Sequence, residues 1–549
     1  MSGFSTSVST SRRQPLAACV ASLFALSAPA SVIAANTWIV DNCSEGSSGD
    51  LGTRHGTLRF AVINAASGDT VDASSLNCPG SKISLTTGAI GVGITVQPKD
   101  SLTILGPGAD VLTIDASLLP CPTYCYNRVF SHYGSGTLTI SNLGLSGGLD
   151  RHYSLEGKGG CVYSSGSVSL DHVNLSSCAA YSQSKAANGG CVFAKGDVGL
   201  SHVNASSCSA FSHSTSASGG GVYATGTLEL KYSTLTGNTA TSLVKGVSGG
   251  GARVGGSLIS RYSTIDGNSV IAPPHASSLL SYKYARGGGV SVAGNVTLLR
   301  TTISNNHSSG SFAGLDAFNL APSGNTINLA ASTISGNDAA NFVGGVYSNA
   351  GTVHLYNTTI AFNTAGLGRY GTPPNYKFFA AGLTVSAEAS AVSVAMQSSI
   401  VANNSYGGFG SSDLSTEYTT ALRPVTFDAA SANNLVRATI LANYTSGFPV
   451  GTLAGCPLLG TLRNNGGLTK THALLSNSPA IDHGNNAINE PPHPVSDLWL
   501  EDQRGNSLTD VVPYLYPRKS KGTADIGAYE VNQDEIVFNT AFEDCPILE

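Results

Sequence analysis

The sequence is poor in charged residues. Asp, Glu, Lys and Arg together make up 11% of its 549 residues, and the formal net charge is −5. Proteins that bind nucleic acids carry a basic patch or stripe, and none is present here, so we expect no nucleic-acid partner. A disordered polyelectrolyte is also excluded, because such chains combine high net charge with low hydrophobicity, whereas 41% of this chain is hydrophobic.

Long apolar runs are also missing. After the first 35 residues, no stretch reaches the roughly 18–20 apolar residues that span a bilayer, so we expect no transmembrane helix in the mature chain. Residues 1–35 have the pattern of a signal peptide, because Arg12 and Arg13 precede the apolar segment 16–30 and small residues follow it. The pattern predicts a secreted or cell-surface protein.

The cysteines lack the spacing of a zinc site, since no CxxC pair is followed by another at a finger-like distance. Of the 11 cysteines, Cys19 falls in the signal-peptide segment, which leaves an even number. An even number of cysteines in an exported chain favours disulfides over metal binding. We therefore expect disulfides, no metal site and no cofactor.

What the sequence does contain is a repeat. The segment "GGCVYSSGSVSLDHVNLSSC" (159–178) recurs as "GGCVFAKGDVGLSHVNASSC" (189–208) and, without cysteine, as "GGGVYATGTLELKYSTLTGN" (219–238). Each unit has a Gly-Gly start, a middle strand and a last strand. Apolar residues stand at positions i and i+2, as in Val168 and Leu170, and this period of two marks strands with one buried face.

Three short strands in a coil of about 30 residues predict an all-β fold, a right-handed parallel β-helix. One coil cannot bury its own core, but coils stacked about 4.8 Å apart share a continuous one. The open N-terminal end of such a solenoid needs a cover. An amphipathic helix with Leu58, Ala61, Val62 and Ala65 on one face is expected to supply it.

Asparagine recurs at the end of the last strand, where an inward ladder would let each side-chain amide bond the next coil. The predicted ladder consists of Asn238, Asn268, Asn306, Asn337, Asn363 and Asn403.

Cys178 and Cys208 occupy the asparagine position of their coils, and Cys161 and Cys191 occupy the glycine position. Equivalent positions in neighbouring coils lie within disulfide reach. We therefore expect Cys161–Cys191 and Cys178–Cys208, and pairing within each coil is the alternative that the sequence leaves open. The other expected pairs are Cys43–Cys78, Cys121–Cys125 and Cys456–Cys545.

Two end segments resemble known bacterial families. Residues 42–74, "NCSEGSSGDLGTRHGTLRFAVINAASGDTVDAS", resemble the CSLREA-type N-terminal region. The ordered motifs "LLGTLRNNGGLTKTHALLSNSPAID" (458–482), "DQRG" (502–505) and "DIGAYE" (525–530) resemble the choice-of-anchor Q domain. The resemblance implies an exported β-helix of the pectin-lyase-like shape with no assigned catalytic activity.

The expected organisation has five parts. They are the signal peptide (1–35), an N-terminal cap (36–80), the β-helix (81–405), C-terminal coils with the choice-of-anchor Q-like domain (406–530) and a tail (531–549). In the C-terminal part we expect Asp482, Arg504 and Asp525 to form a buried charge network, and a ligand or calcium site is the alternative.

Candidate binding residues fall into two groups. A surface stripe stands before the last strand of successive coils, and basic residues lie beside it; it comprises His172, His202, Tyr232 and Tyr262 with Lys231 and Arg261. Two long insertions at one turn carry the second group, Tyr282, Tyr284, Arg286, Arg369, Tyr370, Tyr376 and Lys377. Aromatic and basic groups of this kind stack on sugars and pair with anions. The alternative is that both groups only pack against the solenoid flank.

Three functions remain open from the sequence. The leading one is a non-catalytic extracellular protein for adhesion or for binding a polysaccharide or a cell-surface glycan. The second is a lyase or hydrolase of an acidic polysaccharide, but the acidic residues of the central coils share no repeat position, so the paired carboxylates of a hydrolase are not predicted. The third is a purely structural surface component.

Overall fold

The alternating apolar residues of each repeat form parallel strands, as the sequence predicts. Val168 pairs with Val198 in the next coil, and Val198 pairs with Leu228 in the coil after that. The result is an all-β parallel β-solenoid of about 11 coils, which confirms the predicted fold class. Its core runs along the solenoid axis and consists of the inward residues of successive coils.

The computed structural model describes residues 35–88, 90–92, 101–273, 285–318, 324–349, 351–366, 369–370, 377–387, 391–407, 410–417, 424–441, 448–489, 501–505, 516–520 and 522–531. The solenoid lies in the unit Asn36–Glu549. The expected signal peptide falls outside the described residues except for Ala35, so it stays a prediction, as do the other domain boundaries.

The first strand of each coil follows the Gly-Gly start and belongs to a 12-stranded sheet, here called sheet 1. Its strands are Ile90–Val92, Phe130–His132, Val162–Ser164, Val192–Ala194, Val222–Ala224, Ala252–Val254, Val290–Val292, Leu315–Ala317, Val346–Ser348, Leu383–Ser386, Leu414–Glu417 and Thr439–Leu441.

The middle and last strands of the coils form sheet 2, which has 25 strands and a bend between its two halves. The middle strands are Thr70–Asp72, Leu102–Leu105, Val198–Ser201, Leu228–Lys231, Leu258–Arg261, Val296–Leu299, Thr326–Ala330, Thr352–Tyr356, Val392–Gln397 and Val425–Phe427. The last strands are Lys82–Ser84, Thr113–Asp115, Asn204–Ser206, Thr234–Thr236, Thr264–Asp266, Thr302–Ser304, Thr333–Ser335, Thr359–Ala361, Ile400–Ala402 and Leu435–Val436. Thr137–Ser146 and Ser167–Ser176 run through the bend, and Thr37–Asn42, Gly49–Asp50 and His55–Thr57 complete the sheet.

Two further sheets close the coil, where the sequence analysis expected only three strands per coil. Sheet 3 contains Cys125–Asn127, Leu149–His152, Ala179–Ser182, Ser209–Ser212, Thr239–Ser242, Ser269–Ile271, His307–Ser308, Asp338–Ala339, Thr364–Ala365 and Ser405–Tyr406. Sheet 4 contains Gly157–Lys158, Ala187–Asn188, Ala217–Ser218, Val247–Ser248 and Ala285–Arg286. Their inward residues are small, such as Ala180 and Ser182, so they give a weak apolar signal although both are fully buried.

The other elements are short. The helix Leu58–Asn64 is capped by the Thr57 hydroxyl, which accepts a hydrogen bond from the Phe60 N–H, and the four residues of its predicted apolar face are buried. Its role as an end cap stays a prediction. The 3-10 turns Pro79–Ser81 and Asn486–Asn489 and the antiparallel pair Arg369–Tyr370 and Lys377–Phe378 complete the set in the described residues. No helix in this part of the chain is long and apolar enough to cross a membrane.

The asparagine ladder is present. The Asn268 side-chain N–H donates to Asn306 Oδ1 at 3.0 Å, and Asn306 in turn donates to Asn337 Oδ1 at 2.8 Å. One predicted member is wrong, because Asn363 bonds Asn404 and not Asn403. The strand register pairs Ile360 with Val401, and a shift of one residue exchanges the two faces of a strand.

The disulfides confirm two predicted pairs, Cys43–Cys78 and Cys121–Cys125. Cys456 is also disulfide-bonded, but its predicted partner, Cys545, lies outside the described residues.

The prediction for the two repeat disulfides is wrong, because they link Cys161 to Cys178 and Cys191 to Cys208 within their coils. The reason is that equivalent inward side chains of stacked coils point in parallel, whereas the glycine and asparagine positions of one coil face each other. In the next coil a Cβ on Gly221 would lie 3.1 Å from Asn238 Cγ.

Tryptic mapping without reduction distinguishes the two pairings. Cleavage after Lys158, Lys185 and Lys195 gives peptides 159–185 and 186–195, followed by 196–231. Pairing within coils predicts an internal disulfide in 159–185 and a bond between the other two peptides. A covalent link from 159–185 to either of the other peptides would contradict the structure.

Candidate functional site

The predicted surface stripe lies on the bend of sheet 2, and its residues adopt an unusual backbone. His172, His202, Tyr232, Tyr262 and Arg300 stand at the same position of successive coils, with φ between 50 and 53°. This left-handed region is rare for bulky residues and costs roughly 1–2 kcal/mol per residue. The coil geometry therefore places five large side chains where small or Asn-like residues are favoured.

The rings of the stripe stack along the solenoid axis. Ring centroids are 4.3 Å apart between His172 and His202, 4.9 Å between His202 and Tyr232, and 5.0 Å between Tyr232 and Tyr262. Burial of the Tyr232 hydroxyl raises its pKa to about 12. The stripe is exposed only at its N-terminal end, because the His172 side chain is 53% exposed while Tyr262 is buried.

The C-terminal segment covers the other end of the stripe. Arg300 is fully buried and donates to the backbone oxygens of Asp502 and Glu501, at 2.9 and 3.1 Å, and to the Tyr262 hydroxyl at 2.8 Å. Through Arg300, these contacts connect the buried Tyr262 to the C-terminal segment.

The basic neighbours of the stripe remain at the surface. The Lys231 ammonium lies 5.7 Å from the centroid of the Tyr232 ring. Arg261 is 40% exposed and lies 3.5 Å from a Glu229 oxygen, so a carboxylate already offsets part of its charge.

An acidic residue joins the two histidines at the exposed end. The Asp171 carboxylate lies 3.0 Å from His172 Nδ1 and 3.7 Å from His202 Nδ1. Partial burial acts to raise the pKa of Asp171, but hydrogen bonds from His172 and Ser201 outweigh it and hold that pKa below its usual value.

A second surface, which the sequence analysis missed, lies where sheet 4 turns into sheet 1. The turn is made by left-handed glycines such as Gly159, where a Cβ would come within 2.2 Å of the Val162 carbonyl. Outward side chains of the two sheets meet there, and the surface they form is called the groove below. Lys158 of sheet 4, for example, places its ammonium 5.1 Å from the ring centroid of Phe193 in sheet 1.

Stacked aromatic rings form one part of the groove. Tyr163 and Phe193 are 5.7 Å apart at an interplanar angle of 5°, and Phe193 and Tyr223 are 5.3 Å apart at 16°. The Arg128 guanidinium lies 4.6 Å above Tyr163. The signal was visible in the sequence, because each ring follows the first valine of its repeat.

The aromatic series leads to a cavity of about 260 Å³ lined by Arg253, Arg286, Asp316 and outward serines of both sheets. Arg286 is held between an ion pair to Asp316 at 2.8 Å and the Phe318 ring at 4.0 Å, and its Nε is buried without a hydrogen bond in the described part of the chain. Within that part, no carboxylate pairs with Arg253, which bonds the Ser291 hydroxyl and carbonyl.

The remaining predicted residues belong to the two insertions. Tyr282, Tyr284 and Tyr376 fall outside the described residues. Arg369–Tyr370 and Lys377–Phe378 pair as short antiparallel strands. Of the insertion candidates, Arg286 is therefore the one that the structure places in a defined site.

The expected Asp482–Arg504–Asp525 network is joined through Glu530, whose carbonyl accepts a hydrogen bond from Arg504 and whose N–H donates to Asp502. Arg504 pairs with Asp502 at 2.8 Å, because both belong to one tight turn. Asp525 instead accepts the Asp482 N–H at 2.8 Å. Its own N–H donates to Glu530, whose pKa burial raises to about 8.

Comparisons with known proteins add no family, since no family model and no curated protein matches the chain. The resemblance of the end segments to the CSLREA-type and choice-of-anchor Q regions therefore stays a prediction.

The C-terminal segment 458–475, which contains His472, should lose stability in acid. His472 is buried, its Nδ1 lies 2.6 Å from the Gly460 oxygen and its Nε2 lies 2.8 Å from the Ser335 hydroxyl, and burial lowers its pKa to about 4. Because the folded state disfavours the protonated ring, His472 makes its full contribution to the free energy of unfolding above the unfolded pKa of about 6.5. That contribution, about 3 kcal/mol, is lost as the pH falls through about 4.

Hydrogen exchange of residues 458–475, compared between about pH 7 and about pH 4 and corrected for intrinsic rates, measures this loss. His472→Gln should flatten the pH dependence, and His307→Gln, at a half-buried histidine, serves as the control. An unchanged pH dependence in His472→Gln would assign the loosening to another group.

Proposed function

We propose that this is an exported, non-catalytic protein that binds an acidic glycan along the groove between sheets 1 and 4. The observation that carries the proposal is a cavity with two arginines beside the stacked rings of Tyr163, Phe193 and Tyr223. The rings cover one another's faces and Phe193 is buried, so the half-buried Tyr163 and Tyr223 offer apolar ring edges on which a sugar can pack next to the cavity.

The cavity supplies the polar contacts. Arg253 is half-buried and pairs with no carboxylate in the described residues, so it has a charge to offer an anion. A guanidinium binds a carboxylate or sulfate through two parallel N–H donors. The hydroxyls of Ser218 and Ser248, which lie 3.1 Å apart, add hydroxyl donors and acceptors at the cavity wall.

The proposed cellular role is adhesion at the surface or outside the cell. Four disulfides of defined geometry and the implied family role support an extracellular setting. Glycan binding without cleavage is favoured because, among the described residues that line the cavity, Asp316 is the one carboxylate, and it is already paired with Arg286. A hydrolase of the usual type uses two.

Glycan-array binding followed by calorimetry tests the proposal. We expect the chain to bind acidic oligosaccharides. Arg253→Gln should weaken binding about 10- to 100-fold through loss of a charge-assisted contact, and Tyr223→Ala should weaken it about tenfold through loss of ring contact.

Phe211→Ala is the matched control. Phe211 is a half-buried ring stacked on Tyr181 at 5.3 Å, as Tyr223 is on Phe193, but it lies on sheet 3, away from the groove. Binding that is lost equally in Phe211→Ala, or absent from every glycan offered, would reject the proposal. Release of shortened or unsaturated sugars would show an enzyme.

A further inference from the structure

A cluster on the bend of sheet 2 has the ligand set of a transition-metal site. Within the described residues it is the one group of three or more His, Cys, Asp or Glu side chains whose ligand atoms all lie within 4.8 Å of one another. Its members are Asp171, His172 and His202. Other His–carboxylate contacts occur on the solenoid, such as His307 with Asp338 on sheet 3, but those contain one imidazole each.

The solenoid itself brings the cluster together. Asp171 and His172 are neighbours in one coil, and parallel pairing sets Ser201 beside Asp171, which puts His202 directly above His172. Both histidines have φ of 53°. The shared backbone conformation directs the two rings to the same side, where they stack at 4.3 Å with an interplanar angle of 12°.

The Nδ1 atoms of both rings face one carboxylate. His172 Nδ1 lies 3.0 Å from Asp171 Oδ2, and His202 Nδ1 lies 3.7 Å from Asp171 Oδ1. The Ser201 hydroxyl lies 3.1 Å from His202 Nδ1 and forms a hydrogen bond with Asp171. Tyr232 packs on the other face of the His202 ring at 4.9 Å.

These distances are close to the distances between two ligand atoms of one bound metal ion. Zinc binds His nitrogen and carboxylate oxygen at about 2.0–2.2 Å, so two ligands of one ion are at most about 4.4 Å apart. The parallel rings must each turn about the Cβ–Cγ bond for their lone pairs to converge. Both side chains are exposed by 44% or more, so solvent leaves room for that rotation.

We propose that Asp171, His172 and His202 bind a divalent transition-metal ion of the zinc and copper class at the solenoid surface. Two imidazoles favour these ions over magnesium and calcium, which prefer oxygen ligands. Three protein ligands leave at least one coordination position for water or for a donor from a partner. The site lies on sheet 2 and shares no residue with the groove, so it is independent of glycan binding.

Calorimetric titration of the full chain with zinc chloride tests the site. We expect zinc to bind, and His172→Asn and His202→Asn each to weaken binding at this site by at least about tenfold, since a first ligand matters no less than the outer groups whose loss costs 10–100-fold. Both substitutions should preserve the fold, because Asn142 occupies the same position in the preceding coil with φ of 57°.

His307→Asn is the control, because His307 Nδ1 also lies 3.0 Å from a carboxylate, that of Asp338, but has no second imidazole in the cluster. It should bind zinc like the unmodified chain. Copper(II) added instead should show two nitrogen ligands in its electron paramagnetic resonance spectrum, and one in His172→Asn. Unchanged zinc affinity in both asparagine variants, or an equal loss in His307→Asn, would overturn the proposal.

Discussion

The structure depends on a contact between a glycine and an asparagine that recurs in six successive coils, from Gly221 and Asn238 to Gly382 and Asn404. A Cβ on Gly251 would lie 3.1 Å from Asn268 Cγ, so a larger residue there would crowd the side-chain amide. From there the Asn268 side chain donates to the Leu235 carbonyl of the previous coil and to Asn306 of the next. Buried polar groups that are fully bonded fix one arrangement, whereas a missing partner would cost about 1–3 kcal/mol. The disulfides Cys161–Cys178 and Cys191–Cys208 replace this same contact by a covalent bond.

This stacking also determines what the surface can be. Because equivalent residues lie directly above one another in adjacent coils, any side chain that recurs at one repeat position becomes a ladder. The asparagines form one inside the core, and the rings of Tyr163, Phe193 and Tyr223 form one in the groove. Where the repeat changes, from Tyr223 to Arg253 to Ser291 in sheet 1, the ladder ends and a cavity opens. Residues that repeat from coil to coil thus form the aromatic part of the groove, and residues that break the repeat line its polar cavity.

The sequence predicts those features that recur in every coil. The period of two in Val168 and Leu170 identifies the core strands, and the fold follows from stacking them. Features that depend on side-chain direction were harder to predict. The disulfide partner of Cys161, for example, depends on the fact that inward side chains at one repeat position point in parallel. Asn403 was misplaced because Ile400 and Val401 are both apolar, so the pattern does not choose the inward one. The groove was missed because its two walls, Ser248 and Arg253, belong to different sheets across a tight glycine turn.

At the bend of sheet 2, residues that the fold explains can be distinguished from residues that it does not explain. Its left-handed position is filled by Asn142 before the stripe and by Ala331 and then Asn357 after it. Between them stand two histidines, a residue type that adopts this conformation more often than most, followed by two tyrosines and Arg300, which rarely do. Arg300 is accounted for by the C-terminal segment that it binds, and Tyr262 by the hydrogen bond that it accepts from Arg300. His172 and His202 are exposed, so burial does not explain why two imidazoles stack beside one carboxylate there. A ligand bound between these three side chains would account for the arrangement, because their ligand atoms already lie within 4.8 Å of one another.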